Sequence, residues 1–190
     1  MREDTPAGTL HAALQIAMGW TNSHLHEFLV GERRYADPFQ EEDNEFGTPY
    51  RSEWEYRLVD MVRKPGAEFV YRYDYGDDWR HRILVAAVEQ VDPFPDVFAI
   101  CLDGRRARPP EDCHDYNEFR AILADPKHPE HAETLRWVGG KFDPEAFDVQ
   151  ETNTYLWKLP WPLVSERQLR AVLRERAGEE WPASWPEEWK

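Results

Sequence analysis

Residues 69–85 read FVYRYDYGDDWRHRILV, and this stretch decides the fold. Its first half places aromatic side chains at every second position: Phe69, Tyr71, Tyr73 and Tyr75. This alternation is typical of a strand with one aromatic face and one mixed face. The run Gly76-Asp77-Asp78 is typical of a turn, and residues 79–85 alternate again. The stretch therefore predicts a β-hairpin.

Segments on both sides of the hairpin predict further elements. Leu10, Ala13, Leu14, Ala17 and Met18 have the spacing of an amphipathic helix that ends at Gly19. Residues 23–30 alternate like a strand, and residues 97–102 predict another short strand. Capping patterns at Asp115, Asp148 and Ser165 begin helices in the last part of the chain.

Together these elements predict an α+β fold: an antiparallel sheet with a central hairpin, helices packed against it and a helical C-terminal third. We expect one domain over residues 1–160. Residues 161–190 would form a C-terminal helix and a Trp-rich acidic extension that packs on the same domain.

The charge of the chain limits its partners. Lys and Arg number 23 and Asp and Glu number 37, a formal net charge of −14. Such a chain repels phosphate, so we expect neither direct nucleic-acid binding nor attraction to an anionic membrane. The first ten residues lack the apolar segment of a signal peptide, and no stretch approaches the roughly 18 apolar residues of a membrane span. We therefore expect a cytoplasmic protein.

Four composite motifs go beyond a generic pattern. They are TLHAALQIAMGWTNSHLHEF at 9–28, YRYDYGDDWRHRILV at 71–85, ARPPEDC at 107–113 and WVGGKFDPEAFD at 137–148. In this order they resemble the plasmid pRiA4b ORF-3-like family, over about residues 9 to 157. The resemblance implies an association with mobile elements, because some members resemble passenger proteins of insertion elements and carry a resolvase-like label. It implies no established reaction, and the chain has no serine or tyrosine recombinase motif that would support that label.

The chain departs from the family pattern in two places. Family members generally have a strand before the first helix, which residues 1–8 are too short to supply. Either the true start lies upstream, or the sheet lacks an edge strand and could pair with a second copy to form a homo-oligomer. Secondly, the glycine-rich segment that usually follows PPEDC is shorter here, at residues 113–116.

The predicted hairpin turn is the first candidate site. Asp74, Asp77 and Asp78 lie within five residues, and Trp79 and His81 follow. Three carboxylates could hold a hard cation, which a histidine could complete for a borderline metal. The same residues also suit turn chemistry, in which an aspartate side chain caps bent backbone, or a binding surface.

His24 and His26 form a second candidate. Residues i and i+2 of a strand lie about 6.5–7 Å apart on one face. This pair could chelate a metal with a third ligand such as His81 or Glu111. It could equally consist of half-buried side chains that pack beside Phe28.

The loop over residues 105–114 is a third candidate. Pro109 and Pro110 stiffen it, and it presents Glu111 and Asp112 next to Cys113. Arg105, Arg106 and Arg108 form the one compact basic cluster of the sequence, far short of a nucleic-acid-binding stripe. The two cysteines, Cys101 and Cys113, are consistent with ordinary free thiols. A metal site shared with a histidine is the alternative.

Three functional hypotheses follow, of which the third, a nucleic-acid accessory protein of a mobile element, rests on the family association alone. The first is a non-enzymatic binding or accessory module with an unidentified protein partner, no cofactor and no membrane association. Its surface would combine the turn 74–81, the loop 105–114 and the two histidines. The alternative is a metal-dependent hydrolase or nuclease in which at least three of six side chains converge on one ion: His24, His26, Asp74, Asp77, Asp78 and His81.

Nine tryptophans are a high number for 190 residues. Trp20, Trp79 and Trp137 lie inside the motifs, and we expect them to be buried. Trp161, Trp181, Trp185 and Trp189 lie beyond most of the match, where burial would extend the core and exposure would mark an interface.

Overall fold

The computed structural model describes residues 1–38, 49–90, 99–159 and 166–177, and all structural statements concern these ranges. The first half contains α1 (Ala7–Met18), β1 (His26–Val30), β2 (Arg33–Ala36), β3 (Arg51–Ser52), α2 (Leu58–Met61), β4 (Glu68–Tyr73) and β5 (Trp79–Leu84). The second half is helical, with α3 (Tyr116–Ala124), α4 (His131–Trp137), α5 (Val149–Leu156) and α6 (Glu166–Ala177). The predicted α+β class is confirmed.

The five strands form one sheet in the order β3-β2-β1-β4-β5. The predicted hairpin is β4–β5, and its register pairs Tyr73 with Trp79 and Tyr71 with His81. Strand β1 pairs with both β2 and β4 in antiparallel orientation. The short β3 runs parallel to β2, a pairing that the sequence did not predict.

The turn between β4 and β5 bends through two aspartates. Asp74 and Asp78 have φ angles of 57° and 54°, in the left-handed region. Oδ1 of Asp74 accepts hydrogen bonds from the backbone N–H groups of Gly76 at 2.9 Å and Asp77 at 3.2 Å. This local bonding stabilises an aspartate in a conformation that most residues avoid. It fixes Oδ1 inside the turn and leaves Oδ2 of Asp74 directed elsewhere.

Helix α1 lies between two apolar clusters. On one side the aromatic face of the sheet buries Phe28, Tyr35, Phe69, Tyr71 and Tyr73 together with Trp20. On the other side, Ala12 and Ile16 pack with Leu156 of α5 and with Leu169 and Leu173 of α6. Burial on both sides explains why this helix has no strongly polar face.

The buried face of α1 differs from the predicted one. Leu10, Leu14 and Met18 are only partly buried, whereas His11 and Gln15 are fully enclosed. Gln15 Nε2 donates to the Tyr71 hydroxyl at 2.9 Å, and that hydroxyl lies 2.8 Å from His11 Nδ1. Apolar spacing alone predicts a neighbouring face of the helix, because it does not count polar side chains that are buried with their hydrogen bonds satisfied.

The structure confirms some of the predictions for the later segments and corrects others. Asp115 and Asp148 are the N-caps of α3 and α5, as predicted, and each accepts two backbone N–H bonds. The predicted strand at 97–102 is wrong for residues 99–102, because the Asn153 side chain bonds both the N–H and the carbonyl of Cys101. Trp137 is 52% exposed, which corrects the expectation that it is buried. The Ser165 cap and the last four tryptophans named above lie outside the described residues.

Across the described ranges, none of the helices has both the length and the apolar character needed to cross a membrane.

Candidate functional site

Three segments that are distant in sequence meet at one end of the sheet. They are residues 20–24, the turn 74–78 and the loop 105–114, which together are called the loop junction below. Trp20 Nε1 donates to the Pro109 carbonyl at 3.2 Å, and Arg108 Nε donates to the Gly19 carbonyl at 2.7 Å. The stiff proline loop is therefore attached directly to the end of α1.

Glu111 fastens the loop to the sheet. Its Oε1 accepts from the backbone N–H of Thr21 at 2.8 Å and from the Thr21 hydroxyl at 3.0 Å. The Tyr73 hydroxyl donates to the same carboxylate at 3.2 Å and accepts from the Ser23 N–H at 3.0 Å. Burial and the nearby Glu111 charge raise the pKa of Tyr73 well above its ordinary value.

His24 lies at the centre of the junction, among carboxylates from the other two segments. Its Nε2 atom is 3.3 Å from Asp112 Oδ1, 3.6 Å from Asp74 Oδ2 and 3.8 Å from Glu111 Oε2. This nitrogen is buried and makes no hydrogen bond. The donor atoms of His24, Asp74 and Asp112 all lie within 4.8 Å of one another, a spacing that could hold a metal ion.

The other predicted acidic residues of the turn point to different partners. Asp77, whose side chain is 1% exposed, lies 2.5 Å from Nδ1 of the exposed His114. Asp78 pairs with Arg72 and Arg80 on the opposite face of the hairpin. Neither carboxylate joins the group around His24.

Two further predicted ligands, His26 and His81, also lie away from the group around His24. His26 pairs with Glu53 at 2.8 Å, and its ring stacks on His11 with 3.4 Å between centroids. His81 packs edge-on against Trp20 at 5.1 Å, and Trp79 is partly buried beside the aromatic cluster. The six side chains of the hydrolase hypothesis thus do not converge; only His24 and Asp74 do.

The three arginines of the predicted basic cluster also have different surroundings. Arg105 and Arg106 are exposed at the rim of the junction, where Arg106 makes a solvent-exposed pair with Glu145 at 3.4 Å. Arg108 is half-buried and bonds the Gly19 and Pro109 carbonyls. Its role in the fold is therefore to hold the loop, whereas the other two guanidinium groups face solvent.

Cys113 is poorly suited to act as a nucleophile. The residue is buried, and burial together with Asp77 and Asp115 raises the pKa of its thiol to about 11. A thiol with that pKa is protonated at neutral pH, and only the thiolate is reactive. The neighbouring His114 bonds Asp77.

Sequence reasoning did not identify two groups that organise the junction. The sequence pattern places Tyr73 only on the aromatic face and does not single out Thr21, yet both bond Glu111. A hydroxyl at the end of an aromatic strand is a weak signal, because tyrosine and phenylalanine alternate equally well in a sheet. The His114–Asp77 contact joins residues 37 positions apart, and no local pattern encodes it.

His81 gives a prediction about acid stability. Burial lowers the pKa of this imidazole below its ordinary value of 6.5. Between that lowered pKa and about 6.5 the unfolded chain binds more protons at this site, so stability is lost as the pH falls through the window. We expect His81→Phe to flatten the dependence of the free energy of unfolding on pH below about 6.5, as measured by urea denaturation at several pH values. Equal slopes for the two proteins would contradict this prediction, and His128→Gln serves as a control at a histidine outside the sheet.

Comparison with known proteins places these motifs in a family. The family model for plasmid pRiA4b ORF-3-like proteins matches residues 1–151. The chain belongs to the plasmid pRiA4b ORF-3-like family. The match contains all three segments of the loop junction and ends before α6.

The chain is also similar to two individual proteins. The chain is 38% identical over 152 residues to the uncharacterized protein y4hQ of Sinorhizobium fredii, covering 76% of this chain and 74% of that protein. It also resembles the crystal structure of MM3350, a protein of unknown function from Methanosarcina mazei, with a TM-score of 0.65 and 30% identity. That similarity covers 80% of this chain and 84% of the archaeal one. The fold of this chain is therefore shared with the archaeal protein.

Proposed function

We propose that this member of the plasmid pRiA4b ORF-3-like family is a non-enzymatic, cytoplasmic binding module that recognises a protein partner through the loop junction. The observation that carries the proposal is the convergence of residues 20–24, 74–78 and 105–114 on one surface. Stiff loops held on a rigid scaffold are the usual location of binding residues. The plasmid in the family's name supports an accessory role in mobile elements.

The junction combines a fixed base with an exposed rim. Trp20, Arg108 and Glu111 hold the loop through bonds to Pro109, Gly19 and Thr21. Arg105, Arg106, Asp112 and His114 remain exposed above this base. A preorganised surface loses little conformational entropy on association, which favours recognition.

The hydrolase alternative has less support. Of its six predicted ligands only His24 and Asp74 converge, because His26, Asp77 and Asp78 pair with other side chains and His81 packs against Trp20. A binding role does not require these six side chains to converge on one ion.

The proposal is tested by reversing charge at the rim. We expect a tagged Arg105→Glu/Arg106→Glu variant, expressed in the native cell, to lose a protein that the wild-type chain retains, because rim charges steer association. Quantitative mass spectrometry of the purified complexes measures the loss, and titration of the purified partner then gives the change in Kd.

Arg63→Glu/Lys64→Glu is the matched control for this experiment. These two exposed neighbours lie before β4, at the opposite end of the hairpin from its turn. The control should retain the partner. An identical set of bound proteins for the wild type and the rim variant, with both variants folded as judged by circular dichroism, would refute the proposed surface.

A further inference from the structure

We propose that the loop junction binds one divalent transition-metal ion of the Mn²⁺ or Zn²⁺ class, through His24 Nε2, Asp74 Oδ2 and Asp112 Oδ1. Glu111 Oε2 is a fourth possible donor. This inference goes beyond the proposed protein-binding function and does not depend on it.

The orphaned nitrogen of His24 is the first argument. The imidazole side chain is 25% exposed, but its Nε2 atom is buried and makes no hydrogen bond. Buried polar atoms of folded proteins nearly always have a partner, so a nitrogen without one is available to coordinate an ion or to bond water. The atoms nearest to this nitrogen on its carboxylate neighbours lie 3.3, 3.6 and 3.8 Å away.

These separations suit a shared ion better than direct bonds. A charge-assisted N–H···O bond is about 2.7–2.9 Å long, shorter than any of the three contacts. Two ligands that each lie about 2.1 Å from one ion, at angles between 90° and 109°, are about 3.0–3.4 Å apart. The His24–Asp112 separation of 3.3 Å falls in that range, and the separation of 3.6 Å from Asp74 lies slightly above it.

The charge of the group also calls for a cation. Three carboxylates face one imidazole, and Asp74 among them is only 10% exposed. Within the described residues, no lysine or arginine forms a salt bridge with Asp74, Glu111 or Asp112. A protonated imidazole can direct its Nε2–H to a single oxygen, whereas a divalent ion accepts all of these donors at once.

The donor set indicates the class of ion. An imidazole nitrogen is a common ligand of Zn²⁺ and other first-row metals, whereas Ca²⁺ and Mg²⁺ prefer oxygen alone. One nitrogen with two or three carboxylates therefore favours Mn²⁺ or Zn²⁺.

The segments that carry Asp74 and Asp112 are held by structure that exists without the ion. Asp74 is fixed by the hydrogen bonds of its Oδ1 within the turn. Asp112 follows Glu111, which Thr21 and Tyr73 fasten to the sheet. Preorganisation of this kind lowers the cost of binding, because the ligands do not need to be ordered by the ion.

The test uses the full-length protein after removal of metal by chelation. MnCl₂ or ZnCl₂ is titrated into the wild type by calorimetry, and elemental analysis after gel filtration counts the bound ions. We expect one ion per chain. Asp112→Asn and His24→Gln should each weaken binding by about ten-fold or more, since even loss of an outer-shell partner costs 10–100-fold.

Glu133→Gln is the charge-matched control, because this exposed carboxylate of α4 has no role in the group. It should bind as the wild type does. Asp112 is the decisive variant because its side chain is 71% exposed, so we expect its replacement to leave the fold intact. Binding of less than one ion per chain, equal affinity in Asp112→Asn, or tighter binding of CaCl₂ than of MnCl₂ and ZnCl₂ would overturn the assignment.

Discussion

Replacing Trp20 with alanine is expected to lower the free energy of unfolding by about 3–5 kcal/mol. The residue is 1% exposed, and its ring stacks on Tyr73 with 4.6 Å between centroids. Removal of the indole creates a cavity below the aromatic face of the sheet, whose surroundings can collapse only in part. The bond from Nε1 to the Pro109 carbonyl is lost as well, so the loop junction loses one of its attachments.

Urea denaturation followed by far-UV circular dichroism measures this loss. Trp157→Ala is the matched control, because that side chain is 59% exposed and its removal should cost about 0.5 kcal/mol or less. Trp20→Phe separates the two contributions, since it keeps an aromatic ring and removes the N–H donor. The cavity argument fails if Trp20→Ala is no less stable than Trp157→Ala.

The hairpin could be predicted because its information is local. The alternation of residues 69–75 sets which side chains face the core, and the Gly-Asp-Asp run sets where the chain turns. The observed pairs, such as Tyr71 with His81, follow from that pattern. The caps at Asp115 and Asp148 were predictable for the same reason, since each bonds backbone groups two and three residues ahead.

Strands β2 and β3 could not be predicted from the sequence in the same way. Strand β2 begins with two arginines, a composition that does not suggest a half-buried strand. Arg34 becomes compatible with the sheet because Glu27 on the neighbouring strand accepts its Nε–H at 2.6 Å. Strand β3 has two residues, too few for any alternation to be visible.

The candidate site was predictable as a set of residues but not as a geometry. His24, Asp74, Glu111 and Asp112 were all selected from the sequence, together with several residues that lie elsewhere. Asp74 and Asp77 are three positions apart in one turn, yet the first faces His24 and the second bonds His114. Two left-handed aspartates, Asp74 and Asp78, set these directions, and sequence spacing does not encode them.

Replacing Glu27 with glutamine is expected to cost about 3 kcal/mol of stability, although the two side chains have nearly the same shape. The carboxylate is 2% exposed and lies between two arginines, 2.6 Å from Arg34 Nε and 3.3 Å from Arg72 Nη1. These guanidinium groups are themselves only 10% and 14% exposed. The amide removes the negative charge between two largely desolvated guanidinium groups, of which Arg72 keeps its pair with Asp78.

Glu68→Gln is the matched control on the neighbouring strand. Glu68 lies 3.5 Å from Arg82, but their side chains are 47% and 74% exposed. Water and salt screen such a pair, so its loss should cost less than about 1 kcal/mol. Urea denaturation of both variants at low and high salt compares the two carboxylates directly.

A double-mutant cycle with Arg34→Met isolates the pairwise part of the Glu27 effect. Groups in direct contact show coupling energies of about 0.5–3 kcal/mol, and we expect the upper half of that range for this buried pair. Equal losses for Glu27→Gln and Glu68→Gln would contradict the prediction, because burial is the property that separates the two sites. A large coupling energy would instead show that ion pairs stabilise the face of the sheet that carries Glu27, whereas aromatic packing stabilises the opposite face.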